Sequence, residues 1–433
     1  MERILTDNFD VCKISKIIKS VKTLKTGASP TDAWIVSFKN KVMYKDKEIK
    51  KAFMKIFLDK NYLNKIKNPS TNLKLAIDGL YYERNVYQNI ITPLVDLKIC
   101  QSFIRYISGG NTCKYDDLFS ILEKGKKSKS KSLKSKFNNL INRNLLKYET
   151  SNIGLSESNF SDEIEPISLN DTQKLRYEIL LTETYEDTHH LSTLLQSSSL
   201  QDINLFNIIF QIMIACYSLY LSKTTHNDLH SGNIMVRKLK KPTKILYIVN
   251  GQKYLLKISY LVYIYDFDRS YSEKIGKNNV LSIYNEFAQY NEIINNKDIM
   301  KLLCSVYKYT QNKIYLQCLS ENEKSLKQLI KLFEHDKKCN FQVKKYHPVK
   351  KTFYNKFNDI EKIINKFGNF LPEIKDYEDL VESNIFICNK EHFDFNGNIN
   401  IELYKEYRKK IVNEVSEKPN SKIVLLRKSQ KSI

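Results

Sequence analysis

The sequence lacks a C-x-x-C pair, a long uncharged apolar run and a signal-peptide-like start. Its eight cysteines are scattered over 433 residues, which argues against a zinc site and favours reduced, mostly buried thiols without disulfides, as in an intracellular protein. No segment approaches the ~18 uncharged apolar residues that a membrane helix needs, and the first residues are charged early. The sequence therefore predicts an intracellular, cytoplasmic protein with no transmembrane segment.

Acidic residues are also in short supply, with 48 Asp and Glu against 70 Lys and Arg and a net charge of +22. This excess favours an acidic partner such as nucleic acid, anionic membrane or an acidic protein. The alternative is a generally Lys-rich surface with no dedicated partner. No RNA-recognition signature, zinc-finger spacing or heptad array is present, and an apolar fraction of 42% excludes global disorder.

The first half of the chain is predicted to be β-rich. Two strand-like runs in residues 31–58 indicate a hairpin, and Tyr177–Thr182 indicates a further strand. Between them, residues 73–91 have helical spacing, and Pro93 is expected to end that helix.

The second half is predicted to be mainly helical. Ile203–Thr225 is typical of a buried helix, and helical periodicity returns from about residue 282. Strand-like runs lie between them, at 234–236, 245–249 and 254–265, with a good turn at Val249–Gln252. The basic run 124–136 and the polar stretch 151–173 are predicted to be loops. The order of elements predicts an α+β chain with two unlike lobes.

Three oxygen-bearing side chains suggest the chemistry. Asp228 and Asn233 lie in a polar segment after the buried helix, and Asp266 follows an apolar strand. Magnesium prefers oxygen ligands, and an attacking hydroxyl needs a carboxylate to orient it and accept its proton. These residues therefore suit phosphoryl transfer.

The pattern His226-x-Asp228-x-x-x-x-Asn233, followed by Asp266-Phe267-Asp268, resembles the catalytic loop and the metal-binding D-F-G of the protein-kinase superfamily. The resemblance implies a bilobal protein-kinase-like fold with ATP and Mg²⁺ as cofactors. It makes Asp228 the catalytic residue and Asn233 and Asp266 the metal ligands.

The resemblance extends upstream. Lys55 is placed like the strand lysine that binds phosphates, and Glu83 like its helix partner, which we expect near solvent. The segment Gly27-Ala28-Ser29 occupies the place of the glycine-rich loop with a single glycine. Glu183 and Thr184 resemble the hinge that bonds adenine.

The supporting residues implied by the resemblance are His226, His230 and Asp298, the last of which resembles the aspartate that braces the catalytic loop. An ordinary helix N-cap is the alternative for Asp298. The implied domains are an N-lobe at 1–187 with a basic insert near 124–136, a C-lobe at 188–415 and a basic mobile tail at 416–433. The Lys-, Asn- and Ile-rich composition and the divergent motifs resemble those of serine/threonine kinases of large cytoplasmic DNA viruses. This resemblance would place the protein in the host cytoplasm or the virion.

Four departures from the family pattern bear on function. Asn227 replaces an arginine that binds a phosphorylated activation loop, so activity should not depend on such phosphorylation. His230 replaces a lysine near the γ-phosphate and resembles aminoglycoside and choline kinases, although it could simply hydrogen-bond the loop. Asp268 replaces the glycine of D-F-G, and no A-P-E follows, which leaves residues 269–297 as a short substrate segment.

Three functions therefore compete. The leading one is a serine/threonine protein kinase that transfers the γ-phosphate of ATP to a protein hydroxyl. The second is a small-molecule or lipid kinase, favoured by His230 and the missing A-P-E. The third is a catalytically weak pseudokinase that acts as a basic binding scaffold, which the sparse glycine loop, Asp268 and the positive charge would fit.

Overall fold

The structure is a computed structural model, and the chain divides into two compact units. The first unit comprises Met1–Gln88 and Ile104–Tyr185, and the second comprises Asn89–Phe103 and Glu186–Ile433. The residues that the structure describes are 3–5, 10–24, 33–45, 47–61, 71–110, 112–125, 174–196, 205–283, 290–293, 297–310, 360–368, 377 and 379–416.

A seven-stranded sheet dominates the described part of the first unit, with strand order β1-β3-β4-β7-β5 and with β2 beside β3 and β6 beside β7. Its strands are β1 (Arg3–Leu5), β2 (Ile18–Leu24), β3 (Ala33–Tyr44), β4 (Lys47–Leu58), β5 (Tyr106–Ser108), β6 (Thr112–Lys114) and β7 (Arg176–Glu183). The predicted hairpin is confirmed, since β3 and β4 pair antiparallel. The predicted strand at Tyr177–Thr182 is also confirmed, because β7 pairs antiparallel with β4.

One helical segment, which begins in the first unit and ends in residues assigned to the second, runs further than expected. Helix α1 (Thr71–Val86) is followed by a π-helical turn (Tyr87–Ile91) and directly by α2 (Thr92–Asp96). The prediction that Pro93 ends the helix is wrong. Pro93 lies in the first turn of α2, where its missing N–H has no helical partner to lose.

The prediction that the chain has no disulfide is also wrong. Cys12 and Cys113 are bonded, with their Cα atoms 5.2 Å apart. Cys12 lies in a 3₁₀ turn (Val11–Lys16) and Cys113 in β6, so two segments 101 residues apart in sequence are joined within the first unit. Such a pairing has no local sequence signal. The free cysteines Cys100, Cys216 and Cys388 are buried, as expected.

The second unit contains a sheet as well as helices, which the prediction of a helical second lobe understated. The first unit also contains α3 (Tyr115–Leu122). Besides α2, the described helices of the second unit are α4 (Leu191–Gln196), α5 (Leu205–Leu221), α6 (Lys297–Thr310), α7 (Ile360–Gly368) and α8 (Ile401–Ser416). Its described strands are β8 (Thr188–His190), β9 (Thr224–Thr225), β10 (Ile234–Val249), β11 (Gln252–Ile264), β12 (Tyr271–Ser272) and β13 (Ile385–Cys388).

The long hairpin β10–β11 is the frame of this second sheet. Its strands pair antiparallel through a turn at Asn250 and Gly251, and both turn residues have positive φ, of 48° and 80°. This conformation matches the twist of a two-residue hairpin, so the turn predicted at Val249–Gln252 is confirmed. Strand β8 pairs with the start of β10, and β13 pairs parallel with its end.

Helix α5 forms the centre of the second unit. From Leu205 to Leu219, nearly every side chain is buried, which is the pattern of a helix enclosed on all sides. It packs against β11, α7 and α6. Among the described helices, none is long and apolar enough to cross a bilayer.

The predicted α+β class is confirmed, with a β-rich first unit and with most of the described helices in the second. The predicted lobe boundary at 187 lies beside the division after Tyr185, although Asn89–Phe103 belongs to the second unit. The predictions for residues 126–136, 151–173 and 417–433 fall outside the described residues.

Candidate active site

In the first unit, strand β4 presents Lys55 to Glu83 on helix α1. The Lys55 Nζ donates to both carboxylate oxygens of Glu83, at 2.9 and 2.8 Å. Only 7% of Lys55 and 1% of Glu83 is exposed. The expectation that Glu83 lies near solvent is wrong, because α1 packs on the strand that carries its partner.

The predicted adenine hinge follows the end of β7. The backbone N–H of Glu183 donates to the carbonyl of Arg105 at 2.9 Å, and its side chain accepts from Tyr185. The Glu183 N–H is therefore already bonded within the protein. Thr184, the other predicted hinge residue, directly follows the strand. The predicted phosphate loop Gly27-Ala28-Ser29 lies outside the described residues.

In the second unit, the segment after α5 forms a tight loop from β9 to a 3₁₀ turn at Ser231–Asn233. Asn227 has a φ of 64°, a left-handed conformation that asparagine tolerates better than most residues. The chain reverses at this point, and Asp228 follows directly.

Asp298, in the first turn of α6, fixes the backbone of this loop. Its carboxylate accepts hydrogen bonds from the Thr225 hydroxyl at 3.0 Å, the His226 N–H at 2.7 Å and the Asn227 N–H at 2.8 Å. Hydrogen bonds to a charged acceptor are stronger than those between neutral groups. The Asp298 carboxylate is therefore bonded to three consecutive residues of the loop, Thr225 to Asn227.

The same helix holds the loop at three further points. Lys297 donates to the Asn227 side-chain oxygen, Lys301 donates to the Asn227 carbonyl at 3.1 Å, and the Ser305 hydroxyl accepts from the Ser231 N–H at 2.8 Å. Positions 297, 301 and 305 are four residues apart, so they lie on one face of the helix. We call these residues and Asp298 the bracing face of α6.

Asp228 lies between two cations. Lys301 Nζ is 2.5 Å from its Oδ1, and Arg269 NH1 is 3.0 Å from its Oδ2. Burial alone would raise the pKa of Asp228, but the two cations outweigh burial and hold that pKa well below its ordinary value. Asp228 is therefore ionised at neutral pH.

His230 is engaged with its own loop. Its Nδ1 accepts from the Gly232 N–H at 3.0 Å, and so caps the 3₁₀ turn. Burial lowers the pKa of His230 more than the nearby Asp228 carboxylate raises it. His230 is thus a neutral cap of this turn.

The two predicted metal ligands lie at the open end of the β10–β11 hairpin, one just before β10 and the other shortly after β11. Asn233 directly precedes β10, and its carbonyl accepts from the Tyr265 N–H at 3.3 Å, one residue before Asp266. The Asn233 side-chain amide donates to the Asp228 carbonyl at 3.0 Å, so the atom of this side chain that could bind a cation is Oδ1.

A carboxylate and an amide oxygen fit a magnesium ion that keeps water and phosphate as its other ligands. Among the described residues, no cluster of three His, Cys, Asp or Glu could hold a metal by itself. A site completed by phosphate oxygens is consistent with that finding.

The residues around Asp266 are fixed by packing. Phe267 is fully buried and lies 4.8 Å from the His226 ring, measured between ring centroids. His226 in turn bonds the Tyr265 carbonyl through Nε2 at 3.0 Å. The Asp268 carbonyl accepts from the Asn278 side-chain amide at 2.9 Å, which helps to hold the turn after Phe267.

Sequence reasoning missed Lys301, Arg269 and Lys297. Arg269 directly follows the Asp266-Phe267-Asp268 motif, and Lys301 lies one helical turn after Asp298, so their spacing carried a signal. In a chain with 70 Lys and Arg, many other basic residues have similar spacing from the motifs, so these three could not be distinguished.

No protein-family model matches the chain, and no curated protein matches it. Among solved structures, the chain is similar to WaaP in complex with acyl carrier protein, at 9% sequence identity and a TM-score of 0.31. The match covers 78% of this chain and 93% of the other. A likeness at that TM-score supports no conclusion, so the assignment of the site depends on the contacts described above.

Proposed function

We propose that this protein is an ATP-dependent phosphotransferase of the protein-kinase-like type, with a serine or threonine hydroxyl of a protein as its acceptor. The observation that carries the proposal is the fixed loop around Asp228. An ionised carboxylate is held by the bracing face of α6, five residues before Asn233 and beside the turn that leads to Asp266.

The loop can orient a hydroxyl for attack. Transfer forms a bond between the acceptor oxygen and the γ-phosphorus and breaks the bond from that phosphorus to the oxygen of ADP. The hydroxyl proton passes to Asp228. Because the pKa of Asp228 is low, its main contribution is to position the hydroxyl, and the proton moves late, as in a loose transition state.

Mg²⁺ would supply the charge that neutralises the phosphate oxygens during transfer. Asn233 and Asp266 would hold it. Lys55 donates to both carboxylate oxygens of Glu83, and this pairing fixes the ammonium group that the resemblance assigns to the α- and β-phosphates of ATP.

The contacts of Asn227 support activity without activation-loop phosphorylation. Its side-chain amide donates to the Tyr290 carbonyl at 3.1 Å, and Lys297 donates to its side-chain oxygen. The loop is thereby tied to the segment beyond Asp266 by protein groups alone, so no phosphate is needed to bridge them.

A small-molecule hydroxyl is the second candidate acceptor, and the observation that favours it is His230. His230 accepts a hydrogen bond from the Gly232 N–H and caps the turn. This contact explains a structural role for the His-x-Gly-Asn sequence, by which the loop resembles atypical kinases. An acidic protein or nucleic acid as an additional partner, the narrower viral resemblance and an intracellular location all stay predictions.

The test uses labelled ATP, Mg²⁺ and a lysate of the natural context with three forms of the full chain. These are the wild type, Asp228→Asn and the control Asp116→Asn, which alters an exposed aspartate on α3. We expect Asp228→Asn to lower labelling by ~100-fold or more, in the range of a lost catalytic base, while the control labels like the wild type.

The labelled product identifies the acceptor. Label in precipitated protein bands supports the protein-kinase assignment. Label that stays only in the soluble fraction after precipitation supports the small-molecule candidate. Equal labelling by wild type and Asp228→Asn, or no labelling by the wild type, contradicts the proposed function and leaves the scaffold alternative.

A further inference from the structure

Each oxygen of Asp228 is bonded to a cation, and the two cations differ in how deeply they are buried. Lys301 bonds Oδ1 at 2.5 Å and Arg269 bonds Oδ2 at 3.0 Å. The side chain of Lys301 is 15% exposed, whereas that of Arg269 is 29% exposed. The environment of the carboxylate is therefore asymmetric.

Lys301 is held by a rigid element. It lies on the bracing face of α6, between Asp298 and Ser305, which both bond the same loop. Its Nζ also donates to the Asn227 carbonyl at 3.1 Å. Since Lys301 contacts both the backbone before Asp228 and its carboxylate, it fixes the direction in which that carboxylate points.

The other oxygen, Oδ2, has the more adaptable partners. Arg269 belongs to the segment that follows Asp266, and His230 Nε2 lies 4.0 Å from the same oxygen. An acceptor hydroxyl can replace Arg269 at Oδ2 without disturbing the bond at Oδ1. Oδ1 is thus the anchored oxygen, and Oδ2 is the one open to exchange.

The loop contains no cation of its own beside Asp228. Because His230 Nδ1 accepts the Gly232 N–H, it carries no proton in this arrangement, and the ring is neutral. The only basic residue that both contacts Asp228 and lies on the bracing face, within the described residues, is Lys301.

On the basis of the proposed function, we propose that Lys301 is the positioning residue of the active site. It anchors Oδ1 of Asp228 so that Oδ2 faces the acceptor hydroxyl, and it supplies from helix α6 the positive charge that position 230 lacks.

Four variants of the full chain test this role. Lys301→Met removes the ammonium group, and Lys301→Gln keeps a hydrogen-bond donor but removes the charge. The double variant Lys301→Met with His230→Lys returns a cation to the loop itself. Lys253→Met is the matched control, because it makes the same change at a lysine whose described ion pair is with Glu414, at 3.2 Å and far along the chain.

The measurements are kcat, the KM for ATP and the melting temperature, with the acceptor that the labelling experiment identifies. We expect Lys301→Met and Lys301→Gln to lower kcat by ~100-fold, the size of a lost preorganised charge, with the KM for ATP changed less than ~3-fold. The double variant should recover ~10-fold of that loss, and Lys253→Met should match the wild type.

The two proposals fail in different ways. If the wild type transfers phosphate and Lys301→Met retains its kcat, Lys301 is no positioning residue while the proposed function stands. If both Lys301 variants lose kcat only in proportion to a lower melting temperature, and His230→Lys restores nothing, the role of Lys301 is structural and the inference is wrong. If the wild type shows no transfer that depends on Asp228, both proposals are wrong.

Discussion

At the residue scale, the site depends on charges that are buried together. Lys55 with Glu83 and Lys301 with Asp228 each place a cation against a carboxylate where little water reaches. Removing one partner of such a pair leaves an uncompensated buried charge, which costs far more than the pair itself is worth. Single substitutions at these residues therefore test stability and activity together, and double substitutions separate the two.

Glu83→Gln should lower the free energy of unfolding by about 3 kcal/mol, because it leaves Lys55 buried without its counter-charge. The double variant Lys55→Met with Glu83→Gln should recover most of that stability but none of the phosphotransfer. Urea unfolding and labelling of the same samples measure the two effects.

The control is Lys13→Met, which breaks the exposed pair of Lys13 with Asp10. An exposed pair contributes about 0 to 1 kcal/mol, so this variant should unfold like the wild type. A Glu83→Gln protein that is as stable as the control would contradict the buried charge pair.

Lys297 should make stability depend on pH. Burial lowers its pKa from 10.5 to about 7, more than the neighbouring Asp298 raises it. The unfolded chain therefore binds a proton between about pH 7 and 10.5 that the folded chain does not. The free energy of unfolding should rise with pH across this window by more in the wild type than in Lys297→Met.

Denaturant unfolding at several pH values from 6 to 10.5 measures this slope, and the charges facing Lys297 (Asp298, Lys301, Glu292 and Asp228) are present in both proteins. Parallel stability curves for wild type and variant would show that Lys297 keeps its ordinary pKa in the fold.

At the element scale, the sequence predicted what local patterns determine. Alternating strands, the Asn250-Gly251 turn and the buried helix α5 were all found because each has a repeat or a turn residue. It did not predict β13, whose pairing with β10 is parallel and depends on residues 139 positions apart, for example Leu246 with Ile385. It placed the end of the helical segment at Pro93, because proline disrupts a helix interior. Proline is also favoured in the first turn of a helix, which is where Pro93 lies in α2.

The candidate site follows the same division. The sequence singled out Asp228, Asn233 and Asp266 by their spacing, and the structure brings their segments together. The cations that tune Asp228 come from an adjacent segment and a distant helix, and a Lys-rich sequence gives no means of choosing among its lysines.

The β10–β11 hairpin provides a test at this scale. Gly251 has a φ of 80°, and an added Cβ would meet no atom within 4 Å, so Gly251→Ala changes backbone strain alone. We expect a loss of about 1 kcal/mol in the free energy of unfolding. Lys240→Ala, at an exposed position on β10, should have no such effect, and equal stability of the two variants would argue against the left-handed turn.

At the scale of the whole molecule, the chain consists of two units with separate internal supports. The Cys12–Cys113 bond lies within the first unit, whereas the bracing face of α6 lies within the second. Treatments that loosen one unit should therefore leave the contacts within the other in place.

Reduction of the disulfide should lower the stability of the first unit by about 2 to 4 kcal/mol, since the bond closes a long loop in the unfolded chain. Hydrogen exchange with and without dithiothreitol should show lost protection in β2, β6 and α3, and unchanged protection in α5 and α6. The double variant Cys12→Ser with Cys113→Ser is the control, because the reductant should no longer change its exchange. Identical exchange of the oxidised and reduced wild type would contradict the bond.

The bracing face of α6 also bears on how the protein is made. Its contacts with the loop around Asp228 join residues 70 to 74 positions apart. At a synthesis rate of about 5 to 20 residues per second, α6 leaves the ribosome roughly 4 to 15 s after the loop it supports. Until then, the Asp228 segment has none of these supports, so the nascent chain passes through a period in which the proposed site is not yet assembled.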